Sequence, residues 1–237
     1  MRRTILKIHR WLAIPFGIII SMLCFTGAII LFRKELMPVI NFLFGEDNSF
    51  MSYVMRMHGS LLIPHDNGFS TGGIIIGISA IAMTVILVTG IILWWPHNIG
   101  NLKRRLSVHV NRGFRHFVYD SHVSLGIYSV MFLLLMSLTG PSWSFKWYKD
   151  AAVSGVSVFT QQEDDNDTHM IRKRHRGYSP ESKVLFSLHT GSWDGDEVRV
   201  LYLASAIIGG FLPISGYYMW YRKRRSKRLT GKNKQDN

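Results

Sequence analysis

The chain has 237 residues, enough for one compact unit, with 47% hydrophobic residues, 28 Lys and Arg against 15 Asp and Glu, and a single cysteine. Its formal net charge of +13 would suit a nucleic-acid partner, but the basic residues flank long apolar blocks, a pattern of membrane orientation that argues for no nucleic acid. The lone Cys24 excludes an internal disulfide, a covalent CxxCH haem attachment and a cysteine-ligated iron–sulfur cluster.

Met1–Arg10 is basic and leads into the first apolar block. That block lacks a small-x-small cleavage site and is long enough to span, so it reads as a retained helix and not as a cleaved leader. Leu23 before Cys24 is too large for a lipoprotein site. Spanning a bilayer takes about 20 apolar residues in a helix. Four segments qualify: Trp11–Phe32, Gly73–Trp95, Val123–Trp143 and Val200–Tyr221. The expected architecture is therefore a single all-α integral membrane domain over 1–237, with periplasmic loops 33–72 and 144–199 and a basic tail, 222–237. The second outer loop is acidic at Gln161–Asp167 and basic at Arg172–Arg176, and reads as solvated and partly mobile.

Charge sets the orientation. The N-terminus, the loop Pro96–His122 and the tail carry 4, 5 and 8 Lys and Arg against Asp120 and Asp236 alone. The loops Arg33–Gly72 and Ser144–Arg199 carry 3 and 8, offset by 13 Asp and Glu. Both termini are thus expected in the cytoplasm, with the chain multi-pass in an inner membrane. Trp11, Trp94, Trp95 and Trp220 at one face, and Trp143 and Trp147 at the other, form the interfacial belt.

Each span carries a Ser/Thr-Gly pair: Thr26-Gly27, Thr89-Gly90, Thr139-Gly140 and Ser215-Gly216. Small residues permit close helix packing in lipid, but that does not account for the spacings. His9 precedes Thr26 by 17 residues and His122 precedes Thr139 by 17; Trp94 follows Thr89 by 5 and Trp220 follows Ser215 by 5. Spans one and two therefore repeat as spans three and four in the same orientation, giving two parallel two-helix repeats about an axis along the membrane normal. The axis pairs His9 with His122 near the cytoplasmic face, and His58 with His189 near the other. The two levels stand roughly 25 Å apart at the rise of an α-helix. Ionisable groups in membrane helices are costly and mark function, and imidazole pairs serve as axial haem ligands. These four histidines are the candidate cofactor-binding and metal (haem iron axial) ligands, for two b-type haems. His97, His109 and His116 read as solvated or as contacts for haem propionates, and His65, His169 and His175 as surface residues. Tyr119, Asp120, Arg10 and Arg115 are candidate neighbours of the inner site, and Arg56 and Trp193 of the outer. No HExxH or clustered Cys/His spacing supports zinc.

His9-Arg10-Trp11-Leu12 leading to Phe25-Thr26-Gly27, Tyr119-Asp120-Ser121-His122, and Leu188-His189-Thr190-Gly191 with Ser215-Gly216-Tyr217-Tyr218-Met219-Trp220 together resemble the PepSY-associated transmembrane family over nearly all of the chain. The resemblance implies iron acquisition and a di-haem inner-membrane reductase of ferric siderophores, with His9, His58, His122 and His189 as haem ligands. Larger members carry periplasmic PepSY domains between their helices; the loops here are too short for them, so the chain looks like a minimal version. It has no GxGxxG after a strand and no flavin or nicotinamide domain. Electrons must then come from a donor outside the chain, a quinol or a cytoplasmic reductase, and leave for a ferric substrate at the outer face. Two alternatives stand beside this expectation: a haem-binding, quinol-linked cytochrome subunit of another oxidoreductase, and a non-haem accessory protein of an iron-uptake system.

Overall fold

The computed structural model describes residues 1–46, 49–64, 70–96, 100, 102–160 and 180–232. His65, His97, His169 and His175, and the charged stretches Gln161–Asp167 and Arg172–Arg176, lie outside the described residues. Among the described residues every regular element is helical. The four long helices are α1 (Arg2–Leu31), α4 (Thr71–Trp94), α6 (Phe114–Thr139) and α9 (Gly195–Lys232). Each is long and apolar enough to cross a membrane. All four begin before their predicted spans, because polar residues outside the apolar window go on satisfying their backbone groups within the helix. α1 and α4 end one residue short of theirs, and α6 gives way to a 3-10 turn at Gly140, short of Trp143. The basic segment Arg222–Arg225 continues α9 past Tyr221.

In the bundle α1 packs against α4 and α9, and α6 against the same two, so α1 and α6 face each other diagonally, as do α4 and α9. Ile20, Cys24, Leu87 and fully buried Leu133 form the core at mid-height, with Phe16, Met83, Val130 and Leu212 packed around them. Ile18, Val85, Leu138 and Phe211 are exposed on the outside of the bundle, where lipid would cover them. Arg10 of α1 lines one pocket with Trp220, Lys223 and Arg224 of α9, so both termini share one end.

The connections at the other end are helical too. α2 (Arg33–Phe44) follows α1 after a single-residue break at Phe32, and α3 (Phe50–Ser60) lies back against α1 and α4. Ile40, Met51 and Val54 bury themselves there against Ile29, Ile30, Leu36 and Met37. In the second half, α6 tightens into a 3-10 turn at Gly140–Trp143, and α7 (Lys146–Thr160) and α8 (Pro180–Thr190) pack on each other, with α8 against α6. At the terminal end the short α5 (Leu102–Leu106) packs on α6. Two glycines permit the close approaches that seat α3 and α8. A Cβ on Gly72 would stand 1.8 Å from the Ser60 carbonyl oxygen, and one on Gly191, which has φ +70°, would stand 2.5 Å from the Tyr202 ring.

Candidate metal centre

The four candidate histidines share one local geometry. His9 Nδ1 lies 3.0 Å from Thr89 Oγ1, and His122 Nδ1 lies 2.7 Å from Ser215 Oγ. His58 Nδ1 lies 3.0 Å from Thr26 Oγ1, and His189 Nδ1 lies 2.9 Å from Thr139 Oγ1. Every partner is the hydroxyl of a Ser/Thr-Gly pair on a different helix. The adjoining glycine makes room for the ring: Cβ atoms built at Gly27, Gly90, Gly140 and Gly216 would stand 3.1, 3.5, 3.8 and 3.8 Å from the Cε1 of His58, His9, His189 and His122. Close packing of small residues is thus part of the explanation for these pairs, and the object packed is an imidazole.

The hydroxyls also fix the tautomer. A mid-helix Ser or Thr donates its one proton back along its own helix. Thr26 donates to Met22 O at 2.8 Å, Thr89 to Val85 O at 2.8 Å, Thr139 to Leu135 O at 2.6 Å and Ser215 to Leu212 O at 2.8 Å. With that proton spent, each hydroxyl can only accept from the histidine. For His9 a backbone carbonyl three residues before the hydroxyl is a second acceptor, with Ile86 O 3.0 Å from Nδ1. Nδ1 therefore carries the proton in all four rings and Nε2 keeps its lone pair, the arrangement a metal-ligating histidine needs.

Elements from opposite sides of the bundle bring the rings together in pairs. His58 ends α3 and His189 ends α8, and their ring centroids are 6.4 Å apart. Burial lowers the pKa of both; His189 falls to about 4, with His58 adding to the effect, so both rings are neutral at neutral pH. At the other end His9 on α1 and His122 on α6 stand on diagonally opposed helices, held by Thr89 of α4 and Ser215 of α9. Among the described residues no three His, Cys, Asp or Glu side chains group closely enough to hold a bare metal ion. Paired imidazoles instead suit a metal whose remaining ligands come from a macrocycle.

The other expected neighbours fare unevenly. Arg10 Nε is buried at the terminal end without a hydrogen-bond partner among the described residues, and so is Nε1 of Trp94, a residue the sequence assigns only to the interfacial belt; both are donors suited to the carboxylates of a bound group. Asp120 is engaged elsewhere: its Oδ2 pairs with His109 Nδ1 at 3.0 Å, which ties the basic loop to α6. His116 donates to Arg112 O within its own turn at 2.9 Å. Tyr119, Arg115, Arg56 and Trp193 stand exposed. Two residues not singled out for this site in the sequence hold His189. The Trp143 ring lies 5.1 Å from it, and fully buried Tyr202 donates to Leu188 O at 2.7 Å, securing the last turn of α8.

No curated protein and no solved structure matches the chain. The model of the family described as the PepSY-associated TM region matches residues 41–223. That interval takes in His58, His122 and His189 with their surroundings and covers well over half of the sequence; the chain belongs to the PepSY-associated transmembrane family.

Proposed function

We propose that this membrane protein carries electrons across a bacterial inner membrane, from a donor on the side of its termini to ferric iron or a ferric siderophore on the other side. The observation that carries this reading is the fourfold histidine unit: four imidazoles, each with Nδ1 held by a Ser or Thr hydroxyl and Nε2 left over, two at each end of one bundle. His9 and His122 would hold one b-type haem, and His58 and His189 the other. When bound, haem supplies a one-electron carrier that an all-α chain without a flavin or nicotinamide domain otherwise lacks. The chain's own residues do the rest. The four hydroxyls orient the rings and raise their basicity as ligands. Ile20, Cys24, Leu87 and Leu133 keep water from the space between the two levels. Arg10 and Trp94 offer donors to carboxylates at the terminal end. The charge distribution between the faces supports termini on the cytoplasmic side, where a quinol or a reductase would deliver electrons.

The absorption spectrum of the detergent-purified protein, oxidised and reduced, together with a pyridine haemochrome count, tests the reading. A b-type α-band with about two haems per chain is expected. A protein that stays colourless after haem supplementation would overturn it. A di-haem protein that, once reduced, transfers no electrons to any ferric complex would instead be a cytochrome subunit of another oxidoreductase.

A further inference from the structure

Beside the His58–His189 pair the second half of the chain forms a pocket. It has a volume of 230 Å³ and is lined by Ser142 and Trp143 of the 3-10 turn, Lys149 of α7, and Ser182, Lys183, Leu185 and Phe186 of α8. Its chemistry is specific. Lys149 and Lys183 bring positive charge from two different helices, while the nearby carboxylates Asp150 and Glu181 are not among the lining side chains. Ser142 is only 6% exposed, and its Oγ has no hydrogen-bond partner among the described residues. A buried hydroxyl in that state lacks an acceptor, and a ligand oxygen would supply one. Trp143 and Phe186 add two aromatic walls. Trp143 also stands 5.1 Å from the His189 ring, so the pocket adjoins the candidate electron exit.

We propose that this pocket binds the acceptor, and that the acceptor is an anionic chelate of Fe(III), held by one edge. The proposal rests on the electron-transfer reading above and narrows its substrate class. Fe(III) is a hard ion that takes oxygen donors, and a chelate built from carboxylates or catecholates carries net negative charge. Two lysines meet that charge, the Ser142 hydroxyl donates to a ligand oxygen, and the aromatic walls pack on the organic backbone of the chelate. Uncharged ferric complexes gain nothing from the lysines and are discriminated against.

Isothermal titration of the haem-loaded, detergent-purified protein with gallium citrate tests this without electron transfer, because Ga(III) copies the size and charge of Fe(III) but is not reduced. Saturable binding is expected that weakens as salt is raised, and that falls about tenfold in the Lys149→Gln/Lys183→Gln double variant while the haem count is unchanged. A neutral gallium tris-hydroxamate should bind wild type and the double variant alike. The single variant Ser142→Ala, which leaves both charges in place, should weaken gallium citrate a few-fold. Absence of saturable binding to the wild type, or binding indifferent to salt and to both lysines, overturns the pocket and leaves the electron-transfer reading standing. Lysine-dependent binding to a protein that takes up no haem would do the reverse.

Discussion

At the end of the bundle away from the termini, the two halves hold their histidines by the same unit and surround them differently. His58 rests on Thr26-Gly27 and His189 on Thr139-Gly140, with nearly equal hydrogen bonds of 3.0 and 2.9 Å. Around the first, α2 and α3 close over their own apolar cluster of Ile40, Met51 and Val54. Around the second, α7 and α8 leave a lysine-lined pocket, and Trp143 reaches from it to the ring. The repeated part is what a metal ligand requires, a fixed tautomer and a fixed ring. The unrepeated part decides what meets the ring from outside. A bundle with two equivalent halves would offer an acceptor two equal approaches; here the second half offers the pocket.

The largest expected effects come from breaking the units themselves. Under the di-haem reading, His58→Ala and His189→Ala should each remove one haem and leave the other, so the pyridine haemochrome count falls from about two to about one. His9→Ala or His122→Ala should do the same at the other end. A count that stays at two in any of these variants would mean that the histidine in question is not a ligand.

Removing a hydroxyl partner should cost less and should separate the halves. Thr26→Val and Thr139→Val keep the side-chain shape but withdraw the acceptor from Nδ1, and loss of such a partner typically weakens metal binding about 10–100-fold. His189 keeps its packing against Trp143. Thr26→Val should therefore loosen haem more than Thr139→Val, as read by the rate of haem transfer to an excess of apomyoglobin. Equal rates would place the restraint in the hydroxyl alone. The glycines sharpen the same contrast. A methyl group at Gly27 would stand 3.1 Å from His58 Cε1, so the ring must give by a few tenths of an ångström, whereas at Gly140 the distance to His189 Cε1 is an ordinary 3.8 Å. Gly27→Ala should shift the reduced α-band of the outer haem, and Gly140→Ala should leave it in place.

How much of this the sequence foretold depends on how local the signal was. The spans are legible because some 20 apolar residues in a row have few other uses. The histidine pairs are legible because the interval of 17 residues from His9 to Thr26 and from His122 to Thr139 exposes the repeat. The role of Ser/Thr-Gly was only half legible. The spacing ties each pair to a histidine position, but His9 and Thr89 are 80 residues apart and His122 and Ser215 are 93 apart, and only the folded bundle shows which hydroxyl meets which ring. The helices α2, α3, α7 and α8 read as mere loops because they are short and each contains charged residues. Tertiary packing, of α2 on α1, of α3 on α1 and α4, of α8 on α6 and of α7 on α8 and the 3-10 turn, stabilises them, and not propensity. Lys149 and Lys183 lie 34 residues apart in what looked like a solvated segment, and nothing in their spacing brings them together.

The smallest expected effect concerns how each half fastens its outer helices. In the first half Arg199, at the start of α9, donates to Leu31 O at 2.9 Å and to Glu35 at 3.2 Å, and its guanidinium lies 5.4 Å over the Phe32 ring, so one cation spans the break between α1 and α2. In the second half the corresponding junction is held by a neutral bond, Tyr148 Oη donating to Leu138 O at 2.7 Å, beside the turn that begins at Gly140. Arg199 also pairs with Asp196 at 2.9 Å; Glu35 and Asp196 are 45% and 89% exposed, so water screens both ion pairs and they contribute at most about 1 kcal/mol. Arg199→Gln should therefore lower the thermal midpoint in detergent by no more than a few degrees, and high salt should shrink the difference from wild type. Tyr148→Phe removes a bond of similar worth, about 1 kcal/mol, but one without net charge, so its deficit should persist in salt. If the Arg199→Gln deficit also persists, the bond to Leu31 O and the stacking on Phe32 carry that junction, and the carboxylates do not.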